Sequence, residues 1–431
     1  MPSSLTPSRV GPVTDHAAVF ALKESTMRNL RYMSIVVLIA GCSATGCSRL
    51  SPGSSPKPGA EPTTAATEEE CQAAAAELEL AIRSGDRERA LQAFSMEVLS
   101  HRVVAGLPVA DDVKVSLREV LHSRAHTSAI VEGMVAEVRN GGQFKLLRIR
   151  PADGRHRATF RIIHANFNTM YLDVVFARFS SGRVGVEDVI LLSQGDRFND
   201  LLRFDILPSA ILREPNLRDQ LSTNDRLVVD NIEKAIELYR AYQAKRWRET
   251  IAIYNTLPTG VQEQKPFLSR YTLACIRAGR SEQVAALDNI RQRFPGDPAI
   301  PFLVYDYHFY RHEYEAALQA LAGVRAAFGE DPVIDALESH VLFKTGQTKK
   351  AKSVAERAVK ADPELKVSYS VRLLMALDLQ DHADALEWMK RMVEKTGHDF
   401  GNIRRNPTWA AFVESPEFRQ FLAWRATRQK P

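Results

Sequence analysis

The sequence lacks any hydrophobic run long enough to cross a bilayer as a helix, which takes about 20 apolar residues. Its most apolar stretch, IVVLIAGCSATGC at residues 35–47, opens with only six consecutive apolar residues. A transmembrane helix is therefore not predicted, and this stretch needs another explanation.

Cysteine is scarce, and neither sign of charge is in large excess. The four cysteines are Cys42, Cys47, Cys71 and Cys275. They show no CxxC spacing, so they predict neither a zinc site nor a disulfide framework. The 57 basic and 52 acidic residues leave a net charge of +5, and no extended run of Lys and Arg is interleaved with aromatics. Nucleic-acid binding is not expected from this balance.

The sequence also lacks the motifs that accompany common enzyme chemistry. It contains no GxSxG, no P-loop, no nucleotide-binding fingerprint and no Cys/His nucleophile pattern. His308 and His312 lie four residues apart in HFYRH, a spacing that can bind a metal on a helix. No Glu lies between them and no third ligand is evident, so a solvated turn is the favoured interpretation. We expect no catalytic residue, no cofactor and no metal site.

The flanks of the apolar stretch have a recognisable order. Residues 27–33, MRNLRYM, carry two arginines, and small residues precede Cys42. A basic region, a short apolar region and a cleavage site are typical of a secretory signal. The quartet Ile39, Ala40, Gly41 and Cys42 resembles the lipobox of bacterial lipoproteins. The resemblance implies cleavage before Cys42 and a diacylglycerol on its thiol; the alternative is a short buried strand.

This resemblance predicts where the chain starts and where it resides. We expect translation to start at Met27, because residues 1–26 contain Pro, Asp and His and do not look like the basic region of a signal. The mature chain is then held at the cell envelope by the acyl chains on Cys42. Ser43 implies the periplasmic face of the outer membrane if the cell is Gram-negative. Residues 48–67 are rich in Ser, Pro, Gly, Ala and Thr, which predicts a flexible tether.

Residues 68–213 predict an α+β domain. Helical patterns come first, with one helix ending near Gly85 and the next capped by Asp86. After Gly141 the period changes to that of strands, in four runs joined by the hairpin sequences PADG and SSG. We expect a four-stranded antiparallel sheet with helices packed on one face. The order of elements resembles the cone-shaped roll of the nuclear-transport-factor-like superfamily.

Alternation within the strands predicts which side chains face the core. One face carries Met170, Leu172, Val174 and Phe176 on the third run, and Val184, Val186, Ile190 and Leu192 on the fourth. Asp188 interrupts this face, whereas Asp173 alternates away from it and is expected to be exposed. Asp188 and His164 are the candidate pocket residues if the roll encloses a site for acid–base chemistry. The alternative for both is a structural hydrogen bond or a partly exposed edge.

From Thr223 onward the strand patterns end and an internal repeat appears. Two core positions recur in steps of 33, 34, 34 and 34 residues, as Tyr254/Leu257, Leu287/Ile290, Leu321/Val324, Ala355/Ala358 and Met389/Met392. Asp-Pro pairs recur at 297–298, 331–332 and 362–363. This period, with Pro after the second helix, resembles the tetratricopeptide repeat. The first helices depart from the family pattern, because larger residues such as Leu238 and Tyr305 stand where Gly or Ala is usual.

One first helix of the repeat is dense in aromatic residues. Its sequence is PFLVYDYHFYRHEY, residues 301–314. The resemblance implies that first helices line a binding groove, and aromatics with polar tips suit contact surfaces. Tyr305, Phe309 and Arg311 are therefore the candidate groove residues, and packing within the core is the alternative.

Together these patterns predict a membrane-anchored envelope lipoprotein whose repeats bind a protein or peptide of the envelope. The alternative is small-ligand binding or enzymatic activity in the pocket of the α+β domain. A structural spacer without a specific partner is a third possibility. The expected segments are an upstream extension (1–26), a signal peptide (27–41), a lipidated tether (42–67), the α+β roll-like domain (68–213), a connector (214–230), an all-α solenoid of about five tetratricopeptide-like units (231–399) and a helical cap (400–431).

Overall fold

The computed structural model describes residues 62–428, except 95, 106, 108, 124–125, 165–168, 180–181, 193–195 and 214–215. The predicted signal peptide, Cys42 and most of the tether lie outside the described residues. Within them the fold is mixed: helices come first, then an antiparallel sheet, then a helical C-terminal half. The predicted α+β organisation with a helical C-terminal region is confirmed at this level.

A short strand and five helices precede the main sheet. They are β1 (Pro62–Ala65), α1 (Glu68–Ser84), α2 (Arg87–Ala93), α3 (Met96–Ala105), α4 (Asp111–Ser123) and α5 (His126–Arg139). A capping box between Thr67 and Glu70 begins α1, and Gly85 ends it with a φ of 74°. Asp86 caps α2 by accepting a hydrogen bond from the N–H of Arg89. Both predicted helix boundaries are confirmed.

The sheet is antiparallel, and its long strands coincide with the four predicted runs. These strands are β2 (Gln143–Ala152), β3 (Arg155–Ile163), β4 (Thr169–Phe179) and β5 (Val184–Leu191). A two-residue strand, β6 (Asp196–Arg197), pairs with β5, and β1 pairs with the end of β4. The sheet thus has six strands rather than the four expected, and residues 62–65, expected to belong to a flexible tether, form one of them. The spatial order is β2-β3-β4-β5-β6. Hairpin connections between sequence neighbours account for this simple order.

One face of the sheet packs against the N-terminal helices, as predicted. Leu172, Val174 and Phe176 of β4 lie in one apolar core with Leu78 of α1 and Val131 of α5. The pattern fails on β5, where a β-bulge at Glu187 shifts the pairing between Val186 and Asp188. The extra residue turns Ile190 and Leu192 to the opposite face from Val186. The prediction that these three share a face is therefore wrong.

Sixteen α-helices follow the sheet in the described residues. Three connect it to the repeat, namely α6 (Phe198–Arg213), α7 (Leu217–Gln220) and α8 (Thr223–Asp230). The next nine are α9 (Ile232–Gln243), α10 (Trp247–Tyr254), α11 (Thr259–Gln262), α12 (Lys265–Ala278), α13 (Gln283–Arg293), α14 (Ile300–Tyr310), α15 (Tyr314–Phe328), α16 (Pro332–Lys344) and α17 (Thr348–Ala361). The last of the repeat are α18 (Lys366–Asp378) and α19 (His382–Thr396).

The terminal segment contributes the last two of these helices and packs on the end of the repeat. Two short 3₁₀ turns, Ile403–Arg405 and Pro407–Trp409, lead into the four-residue helix Ala410–Val413. After a break at Ser415 the chain ends in a last helix, Pro416–Arg428. Its Phe418 and Phe421 join Met389 of α19 in one apolar core. The terminal segment therefore covers the last apolar face of the repeat.

Five helix pairs in this region share one turn geometry. The pairs are α9/α10, α12/α13, α14/α15, α16/α17 and α18/α19, with α11 inserted after the first. Each first helix ends at a left-handed residue, in steps of 34, 33, 34 and 34 along Lys245, Gly279, His312, Gly346 and Gln380. At every one, two backbone hydrogen bonds return to the preceding helix in the pattern of a Schellman motif. We call these pairs the helical array.

The apolar positions that defined the repeat in the sequence form the core of the array. All ten of them are buried. Ala317, Ala351 and Ala385, the small residues near the start of three second helices, have no exposed surface. Such small side chains let neighbouring helices approach closely, which explains why these positions hold alanine.

The second face of the sheet is covered by the helical array. Tyr171, Val175 and Ile190 of the sheet share an apolar core with Leu321 of α15 and Ile334 of α16. The expectation of helices on one face only is therefore wrong. The sheet lies between two helical layers, and nearly all side chains of β4 are buried for this reason.

Candidate functional site

The residue predicted to carry the lipid, Cys42, lies outside the described residues, so its acylation stays a prediction. No helix among the described residues is long and apolar enough to span a membrane. Cys71 and Cys275 are buried free thiols. Burial raises the pKa of each to about 11, so neither is a thiolate nucleophile at neutral pH.

The two candidate pocket residues lie at different ends of the sheet. Asp188 of β5 lies beside Val175 of β4, which lies beside Arg157 of β3. His164 follows the last residue of β3 and is seven residues from Arg157. Seven residues of extended strand correspond to roughly 20 Å. His164 Nδ1 instead lies 3.2 Å from Glu137 of α5. The fold does not bring these residues together in one site.

Asp188 is buried and its carboxylate is bound by the start of α6. Its Oδ1 accepts hydrogen bonds from the N–H groups of Val189 at 2.9 Å and Asn199 at 3.3 Å. Burial raises the pKa of Asp188 to about 6, although Arg197 and these two N–H groups favour the charged form. The side chain holds α6 against β5, which is the structural alternative considered from the sequence.

Asp173 is fully buried, so the expectation that it is exposed is wrong. It lies on the face of the sheet that the helical array covers. Thr159 donates a 2.7 Å hydrogen bond to its Oδ1, and Arg150 binds Oδ2. Arg157 Nη1 lies 3.8 Å from the same oxygen, so the buried carboxylate is stabilised by hydrogen bonds and two ion pairs. The side chain ties β2, β3 and β4 together.

A buried ionic cluster joins the sheet to the helical array. Arg161 of β3 binds Asp331 through one guanidinium nitrogen, and its Nη2 lies 2.6 Å from Asp362 Oδ2. Tyr171 Oη donates a 2.8 Å hydrogen bond to Asp331 Oδ2, and Lys145 Nζ lies 3.0 Å from Asp362 Oδ2. We call these five residues the Arg161 cluster. Asp331 and Asp362 belong to two of the Asp-Pro pairs that recur with the repeat.

The charges of the Arg161 cluster stabilise one another. Burial alone lowers the pKa of Arg161, but Asp331 and Asp362 raise it above its usual value. Burial alone raises the pKa of Asp362, and its bond to Arg161 lowers it below the usual range. Each group therefore keeps its charge in the interior because its partner is present. Removing one partner leaves a buried charge uncompensated.

Further contacts extend this junction along one edge of the array. This loop edge comprises the connections that follow second helices, residues 294–299, 329–331 and 362–365. Arg148 Nη2 of β2 donates to Ala327 O at 3.0 Å, and Lys366 Nζ donates to Gly141 O at 2.6 Å. The Tyr171 ring stacks on Phe302 with centroids 5.7 Å apart. The loop edge is thus bound by the chain's own sheet.

A second buried ion pair connects the sheet to the first half of the array. Arg270 of α12 binds Asp196 of β6, and both residues are almost fully buried. The Arg270 guanidinium carbon lies 4.0 Å from the centroid of the Tyr239 ring. Burial opposes the charge of Arg270, but Asp196 holds its pKa above the usual value. The Arg161 cluster and the Arg270–Asp196 pair therefore hold the array against the sheet at two separate places.

The candidate groove residues have different surroundings. Tyr305 is buried and stacks on Phe309, with ring centroids 5.7 Å apart. Phe309 is half-buried and lies 5.4 Å from the ring of His340. Arg311 is exposed, and its Nε lies 2.6 Å from Glu313. Tyr305 therefore packs within the molecule, and a binding role for the other two stays a prediction.

His308 and His312 do not face a common ligand. His308 Nδ1 lies 2.8 Å from Glu313, and His312 Nδ1 lies 2.8 Å from the hydroxyl of Tyr314. His312 occupies a left-handed turn position, which is the turn expected from the repeat register. Among the described residues no group of three or more potential ligands is placed to hold a metal.

The opposite edge of the array is open to solvent. This turn edge is defined by the five left-handed residues 245, 279, 312, 346 and 380, all of which are exposed. Its ion pairs are exposed too, for example Lys344 with Asp378 at 3.3 Å. A cavity of about 490 Å³ opens there, lined by Arg246, Trp247, Arg248, Glu249 and Ala278. A second cavity of about 250 Å³ lies between α15, α16 and α17, and neither is lined by Asp188 or His164.

Sequence reasoning missed the residues that matter most to this geometry. Arg161, Asp331 and Asp362 meet although 170 and 201 residues separate them in the chain. The recurring Asp-Pro pairs were the only indication of this cluster in the sequence, and helix termination explains them equally well. Trp247 had no motif around it, although three basic residues lie within three positions of it.

Comparison with protein-family models, with curated proteins and with solved structures finds no significant match to this chain. The sequence patterns and the geometry of the two edges are therefore the features that indicate a function.

Proposed function

We propose that this protein is a lipid-anchored envelope protein that recruits a partner protein through its helical array. The lipobox-like quartet ending at Cys42 supports the anchor. The 34-residue period, the Pro after second helices and the five identical turns support an array of the tetratricopeptide kind. Arrays of stacked helix pairs present extended surfaces that suit peptide and protein ligands.

The two edges of the array differ in accessibility, and this difference supports the proposal. The loop edge is bound by the sheet through buried charges, so it is not accessible to another protein. The turn edge is exposed at all five turns and opens a cavity. A partner therefore binds the turn edge or the helix surfaces next to it, while the sheet holds the array in one shape.

Site-specific crosslinking tests this role in cells. A photoreactive amino acid at Gln380, on the turn edge, is compared with one at Glu88, an exposed residue of α2. We expect the same envelope protein to be crosslinked from Gln380 and from a second turn position, Gly346, and not from Glu88. Equal products from all three positions, or none from the turn edge, contradict the proposal.

The anchor is tested separately by acyl labelling. The substitution Cys42→Ser is expected to abolish incorporation of labelled palmitate and to leave an unprocessed precursor. The matched substitution Cys47→Ser is expected to leave both unchanged. Normal labelling of the Cys42→Ser protein contradicts an anchor at that residue.

A further inference from the structure

The first turn of the array carries three basic residues around a tryptophan. Lys245, Arg246 and Arg248 lie within four residues of one another, and Glu249 is the one acid beside them. Arg246 pairs with Glu249 at 2.8 Å. In the described part of the chain Lys245 and Arg248 have no ion-pair partner. The turn thus carries two exposed cations that its own acids do not neutralise.

The second, third and fifth turns either pair their charges or carry an acid, whereas the fourth does not. Arg280 lies 3.5 Å from Glu282 at the second turn, and Arg311 lies 2.6 Å from Glu313 at the third. The fifth turn carries Asp381, which caps α19. The fourth turn carries Lys349 and Lys350, both exposed and without an ion-pair partner in the described residues. The first turn is therefore distinguished by Trp247 and the cavity beside its cations, not by charge alone.

An aromatic side chain and a cavity accompany this charge. Trp247 is half-buried, and its ring meets that of Tyr242 edge-on with centroids 5.7 Å apart. It lines the cavity of about 490 Å³ together with both arginines. Tryptophan and arginine are the residues most often found at the energetic centre of protein interfaces. The contact with Tyr242 holds the indole in place before a ligand arrives, which lowers the entropic cost of binding.

We propose that this cavity binds an acidic peptide segment of the partner protein, with an apolar side chain against Trp247 and carboxylates on Arg248 and Lys245. This inference rests on the proposed function and specifies one contact of it. The charge is complementary to such a segment, because Lys245 and Arg248 have no ion-pair partner in the described residues. We favour a peptide over an anionic membrane surface because a single peptide side chain can enter the cavity and contact the half-buried indole.

The experiment uses the full chain and a short fluorescein-labelled peptide in which glutamates flank one phenylalanine. Binding is measured by fluorescence anisotropy at low and high salt. We expect measurable binding that weakens with salt, and about tenfold weaker binding after Arg248→Glu or Trp247→Ala. The matched control is Lys349→Glu, which makes the same charge reversal at the equivalent position of the fourth turn, and we expect no change there.

Three results overturn the proposal. One is equal weakening by Arg248→Glu and Lys349→Glu, which indicates general charge attraction. Another is equal binding of a peptide with glutamine in place of glutamate. The third is binding to phosphatidylglycerol vesicles that Arg248→Glu abolishes while the peptide shows no binding. If Arg248→Glu leaves the crosslinks from Gln380 and Gly346 intact, the scaffold role stands and this site alone is wrong.

Discussion

The loop edge and the turn edge of the array are made by the same repeat, yet they present opposite chemistry. At the loop edge, Asp331 and Asp362 are buried and bind Arg161. At the turn edge, the charged residues lie at the surface, and some pair with neighbours there, as Lys344 does with Asp378. A buried ion pair is costly to disrupt, whereas an exposed pair contributes little to stability. The difference indicates that the loop edge is a permanent internal interface and the turn edge a surface.

The largest loss of stability is expected from removing Arg161, the central cation of the Arg161 cluster. Arg161→Met leaves two buried carboxylates without that partner, so we expect the free energy of unfolding to fall by about 3–5 kcal/mol. Chemical denaturation of the full chain measures the loss. A loss below about 1 kcal/mol, within the range of an exposed pair, contradicts a buried cluster.

A smaller effect is expected from the pH dependence of Asp188, on the sheet side of the junction. Its pKa is raised from 3.8 to about 6, so the folded protein binds this proton more tightly than the unfolded chain does. The stabilisation is full below the unfolded pKa and is lost as pH rises through about 6. We expect the unfolding free energy to rise by about 1 kcal/mol from about pH 7 to about pH 5, relative to Asp188→Asn. An identical pH dependence in both proteins contradicts the raised pKa.

The repeated turn predicts a reciprocal pair of substitutions on the turn edge. Gly346 and Gln380 occupy equivalent left-handed positions, with φ of 78° and 54°. Because a Cβ is disfavoured there, Gly346→Ala is expected to destabilise the protein by about 1 kcal/mol. Gln380→Gly is expected to stabilise it by a few tenths of that amount or more. Thermal unfolding measures both, and the same sign for the two substitutions contradicts equivalent turns.

The smallest effect is expected from an exposed ion pair of the turn edge. Lys344→Met removes the pair with Asp378 and is expected to change the unfolding free energy by less than about 0.5 kcal/mol. It is also the control for Arg161→Met, because both substitutions replace a cation with the same apolar side chain. A loss comparable to that of Arg161→Met removes the distinction between the edges.

Local patterns in the sequence predicted the elements of this fold well. The end of α1 at Gly85 and the strand runs of β2 to β5 are confirmed, because capping and alternation are local properties. The 34-residue period placed the core of the helix pairs for the same reason. What failed depends on contacts between distant segments.

Two failures illustrate this limit. Asp173 was expected to be exposed because alternation shows which face a residue occupies, not whether another layer covers that face. The bulge at Glu187 moved Ile190 to the other face, and one extra residue leaves no clear trace in an alternating pattern. The Arg161 cluster was invisible because its partners come from different parts of the chain.

Hydrogen exchange of the full chain, compared between the wild type and Arg161→Met, tests most directly whether the loop edge and the sheet form one interface. We expect protection to fall together in β3 (Arg155–Ile163) and in α16 and α17, the helices next to Asp331 and Asp362. We expect unchanged protection in α10, at the first turn. If protection is lost in β3 alone and α16 and α17 are unaffected, the sheet does not hold the helical array at the loop edge.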